Sequence, residues 1–160
     1  MAADPLIRNN FIDSCAFDPK YEPETTASND IFRLFEAEHF QLLIAHSTQK
    51  EIDHPHTPDW VKRAAGALNF SMEVQLTAPE HALLNDITSI VAGNGKPANI
   101  AQDARHIFEA QKYGTYFITT DERLLSRANA LRTRCSVEVL RPTEFREIVE
   151  RFIRERKDEA

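Results

Sequence analysis

The sequence predicts an α/β fold in which helices flank a mainly parallel central sheet. Short apolar runs alternate along the chain with longer segments whose apolar residues recur every three or four positions. Hydrophobic residues make up 42% and charged residues 28% of the 160 residues, as in ordinary globular proteins. No internal repeat or long linker divides the chain. One domain over residues 1–160 is therefore expected, with its core at about 9–150 and a C-terminal helix to 160.

The predicted strands are short runs that are apolar or rich in strand-forming residues. Leu42–Ala45 is the apolar centre of one run, and another is rich in Tyr, Phe, Ile and Thr. In chain order the strands are Asn10–Ser14, Phe40–His46, Thr115–Thr120 and Ser136–Leu140. Sites in parallel sheets form at the carboxyl ends of the strands, so functional residues are expected just after Ile12, Ala45 and Ile118.

Helices are predicted where helical apolar spacing follows a capping residue. Asp18–Ser28 is rich in Pro, Glu and Thr and is typical of a loop, so Ser28 is expected to cap the first helix. The remaining helices are expected after Thr48, from Thr57 to about Phe70, from Pro79 to about Gly93, from Ile100 to Gly114, over Glu122–Leu131 and along Phe145–Ile153.

Charge and composition exclude several classes of protein. The net charge is −6, and the acidic excess lies in the first 60 residues, so a bulk basic footprint for nucleic acid is absent while a local one stays open. No apolar run is long enough to span a membrane, and the N-terminus lacks the apolar stretch of a secretory signal. The two cysteines, Cys15 and Cys135, cannot build a disulfide framework and suit a reducing cytoplasm.

Four carboxylates do not fit an ordinary solvated surface. Asp13 and Asp121 each follow a predicted strand, and Glu51 lies in the first turns of the helix after Phe40–His46. Asp103 lies among the apolar residues of its helix stripe, so its side chain is expected to point inward. Taken singly, each acid is most often a cap, a turn residue or a partner of the helix dipole.

Taken together, the four acids are expected on one edge of one sheet. Four close carboxylates cannot all ionise without a cation, and hard oxygen donors suit Mg²⁺ or Mn²⁺ rather than Zn²⁺. Such a cluster serves the in-line attack of water on a phosphodiester, in which metal activates the water and stabilises the leaving oxygen. The residues therefore predict a metal-dependent phosphodiester-cleaving site.

Several short motifs resemble those of PIN-domain proteins. They are Phe11-Ile12-Asp13-Ser14, Glu51 after Ser47-Thr48, Asp103-Ala104, Ile118-Thr119-Thr120-Asp121, and the closing segment Val139-Leu140-Arg141-Pro142-Thr143-Glu144-Phe145. The likeness spans roughly residues 9–150 and implies a three-layer PIN-like fold. Many PIN-domain proteins are Mg²⁺- or Mn²⁺-dependent endoribonucleases, commonly VapC-type toxins held by an antitoxin.

The resemblance implies a role for each matching residue. The family's acidic quartet, which binds metal and activates water, matches Asp13, Glu51, Asp103 and Asp121. Ser14 and Thr119 match hydroxyl positions beside the quartet, where they orient the carboxylates or a water held by the metal. The chain departs from the family pattern at Cys15, which stands where the family usually has Asn, and in the stretch Thr57–Gly93, which is longer than a minimal toxin of this kind needs. The implied partners are RNA, an antitoxin protein and a second copy of the chain, in the cytoplasm.

Basic residues near the acids are candidates for RNA contact. Arg105, Arg123 and Arg127 are expected either to contact phosphates at the rim of the acidic cleft or to form an ordinary solvated face. His54 and His56 have the spacing of a transition-metal pair, although a solvated loop is the simpler interpretation. An alternative function also stays open, in which the chain is a catalytically silent PIN-like module that binds RNA or protein.

Overall fold

The computed structural model describes residues 2–17, 19–44, 75–93 and 100–160, together with the single positions 53, 55, 59, 62, 63, 69 and 70. Its centre is a five-stranded sheet in the order β3-β2-β1-β4-β5, and every neighbouring pair is parallel. The strands are β1 Asn9–Ile12, β2 Gln41–Ile44, β3 Asn69–Phe70, β4 Tyr116–Ile118 and β5 Glu138–Leu140.

In the described part of the chain, six α-helices and one short 3₁₀ turn accompany these strands. The helices are α1 Glu24–Glu38, α2 Ala78–Ala92, α3 Ala101–Tyr113, α4 Glu122–Leu125, α5 Ala128–Cys135 and α6 Pro142–Glu159, and the 3₁₀ turn is Ser14–Ala16. A capping box closes the start of α2, where Thr77 and Glu80 bond each other's backbone N–H. None of the helices in these ranges has both the length and the apolar character needed to cross a bilayer.

Most residues of β1, β2 and β4 are buried, as expected for a parallel sheet that is covered on both faces. Successive strand residues point to opposite faces. Thus Ile12 and Ile118 pack with side chains of α1 and α6 on one face. Phe11 and Phe117 pack with side chains of α2, α3, α4 and α5 on the other. The predicted three-layer α/β fold with a parallel central sheet is therefore confirmed.

The start of the first helix was wrongly predicted. Helix α1 begins at Glu24 rather than after Ser28, and Ser28 is a buried residue inside it. The Ser28 hydroxyl donates hydrogen bonds to the carbonyls of Ala16 and Phe17 instead of capping a helix end. A serine was expected at a cap because its hydroxyl often bonds nearby backbone, but here a distant segment supplies the acceptor.

Two further elements differ from the sequence-based expectation. The predicted helix Glu122–Leu131 is two helices, because the backbone N–H of Arg127 bonds the carbonyl of Leu124, three residues back, and α-helical bonding stops there. Phe70, expected at a helix end, lies in β3 and pairs with Ile44 of β2. A two-residue strand has no periodicity to detect, so only its pairing with β2 reveals it. Most of the segments predicted as helices after Thr48 and Thr57 lie outside the described residues.

Candidate active site

The carboxyl ends of β1 and β4 meet at the point where the strand order reverses. From β1 the chain continues to β2 and β3 on one side, whereas β4 and β5 lie on the other. Parallel α/β sheets bind ligands in the crevice outside such a switch point. Asp13 directly follows β1 and Asp121 follows β4 by two residues. The backbone N–H of Asp13 donates to the carbonyl of Ile118 at 2.9 Å, which holds the two strand ends together.

Asp13 is a buried carboxylate with several donors around it. Its residue is only 6% exposed. Its Oδ1 accepts the backbone N–H of Ser14 at 2.9 Å, and its Oδ2 accepts the hydroxyl of Thr119 at 3.0 Å. The Sγ of Cys15 lies 3.4 Å from the same Oδ2. These contacts stabilise an acid that would otherwise be costly to bury.

Thr119 connects the ends of the two strands. Its side chain is fully buried, and its hydroxyl donates to Asp13 while accepting the backbone N–H of Asp121 at 3.1 Å. One hydroxyl thus fixes both the Asp13 carboxylate and the backbone that carries Asp121. The expected supporting position of Thr119 beside the acids agrees with this geometry, and Ser14 contributes through its backbone N–H.

Arg123 joins Asp103 to Asp121. Its guanidinium lies 2.9 Å from Asp103 Oδ2 and 2.8 Å from Asp121 Oδ2. Asp121 also caps α4, because its Oδ1 accepts the backbone N–H of Arg123 at 2.9 Å. Asp103, in the first turn of α3, points inward as expected, with its side chain 19% exposed. Asp103 of α3 and Asp121 at the start of α4 therefore share one guanidinium.

The pKa values of Asp103, Asp121 and Arg123 are shifted by burial and by their charged neighbours. Burial raises the pKa of Asp103; Arg123 opposes that rise, whereas the negative charges of Asp13 and Asp121 add to it. Burial also acts to raise the pKa of Asp121, but the hydrogen bonds and charge of Arg123 outweigh burial and lower it. The same contacts raise the pKa of Arg123. Asp103 and Asp121 thus share Arg123 as a counter-ion, and Asp103 also experiences the charge of Asp13.

The donor set fits a hard divalent cation in its chemistry. Asp13, Asp103 and Asp121 offer carboxylate oxygens, the ligands that Mg²⁺ and Mn²⁺ prefer. Within the described ranges, no three His, Cys, Asp or Glu side chains are arranged to hold a metal ion together. Two of the three acids, Asp103 and Asp121, instead contact the guanidinium of Arg123. Glu51, the fourth predicted acid, lies outside the described residues.

His106 was missed by the sequence analysis, which considered His54 and His56. It is fully buried on α3, and its Nδ1 lies 3.9 Å from Asp13 Oδ1. Its ring stacks on Phe117 of β4 with centroids 6.4 Å apart. A signal was present in the sequence, because His106 follows Asp103 by three residues and residues three apart share a helix face.

The other candidate RNA contacts lie on the same side of the sheet as α3 and α5. Arg105 lies 3.8 Å from the carboxylate of Glu109, one helical turn along α3. Arg127 is exposed, and its guanidinium lies over Gly93 at the end of α2. Of the three predicted arginines, Arg123 is therefore the one placed directly on the acids. Whether any of them contacts RNA stays a prediction.

The thiol of Cys15 is enclosed although its residue is exposed as a whole. Its Sγ lies 3.3 Å from the hydroxyl of Thr119 and 3.5 Å from the backbone N of Thr120. Burial of the thiol, with the neighbouring charge of Asp13, raises the pKa of Cys15 to about 11. Cys15 therefore stays protonated near neutral pH and cannot act as a thiolate nucleophile there.

A cavity of about 290 Å³ lies at the opposite edge of the sheet, where β1 and β4 begin. Asn9, Lys112 and Gly114 are among its lining residues, and Lys112 is already paired with Glu80. The cavity is therefore separate from the acids at the carboxyl edge.

Comparison with known proteins does not assign the chain to a family, because no family model matches it and no curated protein does. The PIN-domain resemblance consequently stays a prediction drawn from the motifs.

Proposed function

We propose that the chain is a metal-dependent endoribonuclease whose acidic site comprises Asp13, Asp103 and Asp121, with Glu51 as the fourth acid. The observation that carries this proposal is the position of Asp13 at the switch point of a parallel sheet, together with the pairing of Asp103 and Asp121 through Arg123. Asp13 follows β1, Asp103 lies on α3 and Asp121 follows β4; burial raises the pKa of Asp103, and the charges of Asp13 and Asp121 add to that rise against the opposing charge of Arg123. Carboxylates placed close together repel one another and lower the stability of the fold, and a cation-binding role explains why they lie close together.

Asp13, Asp103 and Asp121 would hold Mg²⁺ or Mn²⁺. A bound divalent cation would supply the charge that makes water a better nucleophile and stabilises the leaving oxygen of a phosphodiester. Thr119 keeps the Asp13 carboxylate in one orientation. Arg123 binds the same acids as the cation would, so the two compete. Once released from the acids, its guanidinium would be available to a phosphate of RNA.

The finer parts of this proposal rest on the PIN-domain resemblance alone. They are RNA rather than another phosphodiester as substrate, a toxin role with an antitoxin partner, a homodimer and a cytoplasmic location. A toxin predicts that the wild-type chain is expressed poorly without a partner, whereas a variant of the acids is expressed well. Equal expression of both would count against the toxin role.

The test is cleavage of a mixed pool of structured and single-stranded RNA in the presence of Mg²⁺, Mn²⁺ or EDTA. The wild-type chain is compared with Asp13→Asn and Asp121→Asn. The matched control is Asp86→Asn, the same change at a half-exposed aspartate that pairs with Arg134 away from the site. We expect metal-dependent cuts that both site variants lose and the control keeps. Cleavage that survives both site variants would refute the proposal.

A second candidate function is the catalytically silent module that binds RNA or protein. The bridge from Arg123 to Asp103 and Asp121 favours it, because these acids already have a permanent counter-ion. Metal binding separates the two functions. Mn²⁺ at 100 times its Kd would stabilise the folded chain by about 2.7 kcal/mol, a shift that thermal melting detects easily. A melting temperature unchanged by Mn²⁺ would favour the silent module.

A further inference from the structure

His106 is an unusual buried residue. It has no solvent exposure, and among the described residues neither of its ring nitrogens has a hydrogen-bond partner. Buried polar groups are nearly always hydrogen-bonded, so a histidine with two unsatisfied nitrogens needs an explanation. Packing alone does not require it, because a leucine would fill similar space at this position without the cost of burying polar atoms.

The carboxylate of Asp13 lies close to this ring. The distance from Nδ1 to Asp13 Oδ1 is 3.9 Å, about 1 Å longer than a good N–H···O hydrogen bond. The two oxygens of Asp13 have different surroundings. Oδ2 accepts the hydroxyl of Thr119, whereas Oδ1 has the backbone N–H of Ser14 on one side and His106 on the other. A donor from His106 would complete the set of contacts that orients this carboxylate.

We infer that His106 is a positioning residue: its Nδ1 lies 3.9 Å from Asp13 Oδ1, and when a cation draws on that carboxylate the two side chains approach until Nδ1–H donates a hydrogen bond that orients Asp13. The inference rests on the proposed function, since it assigns to Asp13 a cation to hold. A neutral imidazole is sufficient, because one of its two nitrogens carries a proton. Its stacking on Phe117 holds the plane of the ring, so the direction of the N–H is set by the core of the protein.

Side chains that hydrogen-bond to the ligands of a metal ion commonly affect the affinity for that metal, which weakens 10- to 100-fold when they are removed. His106→Leu keeps an apolar side chain of similar size and removes the donor. We therefore expect it to weaken Mn²⁺ binding by about 10- to 100-fold while leaving the chain folded. His106→Asn, whose amide nitrogen can occupy nearly the same place as Nδ1, should restore most of the affinity.

The experiment measures the Kd of Mn²⁺ from the electron paramagnetic resonance signal of the free ion, with thermal melting alongside. The control is Ile107→Val, which changes core packing on the same helix without touching a donor. It should lower the melting temperature slightly and leave the Kd unchanged. A second readout needs no metal: the ¹⁵N shifts of the His106 ring should show the proton on Nδ1.

The possible failures can be told apart. A wild-type chain that does not bind Mn²⁺ would refute the proposed function and this inference with it. Wild-type binding with an unchanged Kd in His106→Leu would refute the inference alone. A Kd weakened equally in His106→Asn, or a proton found on Nε2, would overturn the Nδ1 hydrogen bond. If His106→Leu does not fold, His106→Gln takes its place, because the longer glutamine side chain does not put its amide nitrogen where Nδ1 lies. Equal Kd values for His106→Gln and His106→Asn would then refute the inference.

Discussion

Replacing Arg123 with Gln is expected to destabilise the metal-free chain and to strengthen its binding of Mn²⁺. The opposite signs follow from one feature, the guanidinium that lies on Asp103 and Asp121 at 2.9 and 2.8 Å. Without metal, its removal leaves two acids to repel each other. With metal, its removal takes away a competitor for the same oxygens.

The magnitude follows from the exposure of these pairs. The Arg123 side chain is 60% exposed, so each ion pair contributes the 0.2–1 kcal/mol typical of solvated pairs, or about 1 kcal/mol for both. That loss lowers the melting temperature by about 2–4 °C in a chain of this size. A cation that binds Asp103 and Asp121 must break both ion pairs of Arg123, and the positive charge of Arg123 also repels the cation. The variant should therefore bind Mn²⁺ with a free energy about 1–2 kcal/mol more favourable, a factor of roughly 5–30 in Kd.

The assay is thermal melting across an Mn²⁺ titration, with the Kd taken from the dependence of stability on the free ion. Arg134→Gln is the matched control, because Arg134 contacts Asp86 at 2.7 and 3.0 Å far from the acids. The control should lose a similar stability without metal and keep the wild-type Kd. An Arg123→Gln variant that binds Mn²⁺ no better than the wild type would refute the competition between guanidinium and cation.

Three further predictions concern the surroundings of the site and the frame that supports it. Thr119→Val should lower the free energy of unfolding in urea by about 1–3 kcal/mol, because it removes the hydroxyl that donates to the buried Asp13 carboxylate. An unchanged unfolding midpoint would show that this hydrogen bond contributes nothing to stability. Cys15 should react with a disulfide reagent at pH 8 about 100-fold more slowly in the folded chain than in urea, because burial raises its pKa to about 11 and keeps the thiol protonated. The reaction rate in the folded chain should rise toward pH 11. Peptide mass spectrometry measures both rates, and equal rates in the folded and unfolded chains would contradict the prediction. Glu24→Ala should cost about 2 kcal/mol, because Glu24 is buried and accepts a backbone N–H in the first turn of α6. The exposed Glu22→Ala should cost less than about 1 kcal/mol, and equal losses in urea unfolding would show that burial of the Glu24 contact is immaterial.

Local patterns were sufficient to predict most of the sheet and two features of the site. Asp13 and Asp121 were placed at strand ends because apolar runs mark where strands stop, and parallel strands bring those ends to one edge. The inward direction of Asp103 followed from helical periodicity. Where local signals were ambiguous the prediction failed, as at Ser28, whose hydroxyl bonds a distant carbonyl rather than capping a helix.

The sequence by itself determined the α/β class, the places of β1, β2, β4 and β5 along the chain and the candidate acids, because each depends on the spacing of neighbouring residues. Only the tertiary structure decided that Arg123 joins Asp103 to Asp121 and that His106 lies beside Asp13. An arginine looks the same in a sequence whether it faces water, RNA or an aspartate. Its partner is set by how closely α3 and α4 approach the ends of β1 and β4, and that approach results from the packing of the whole core.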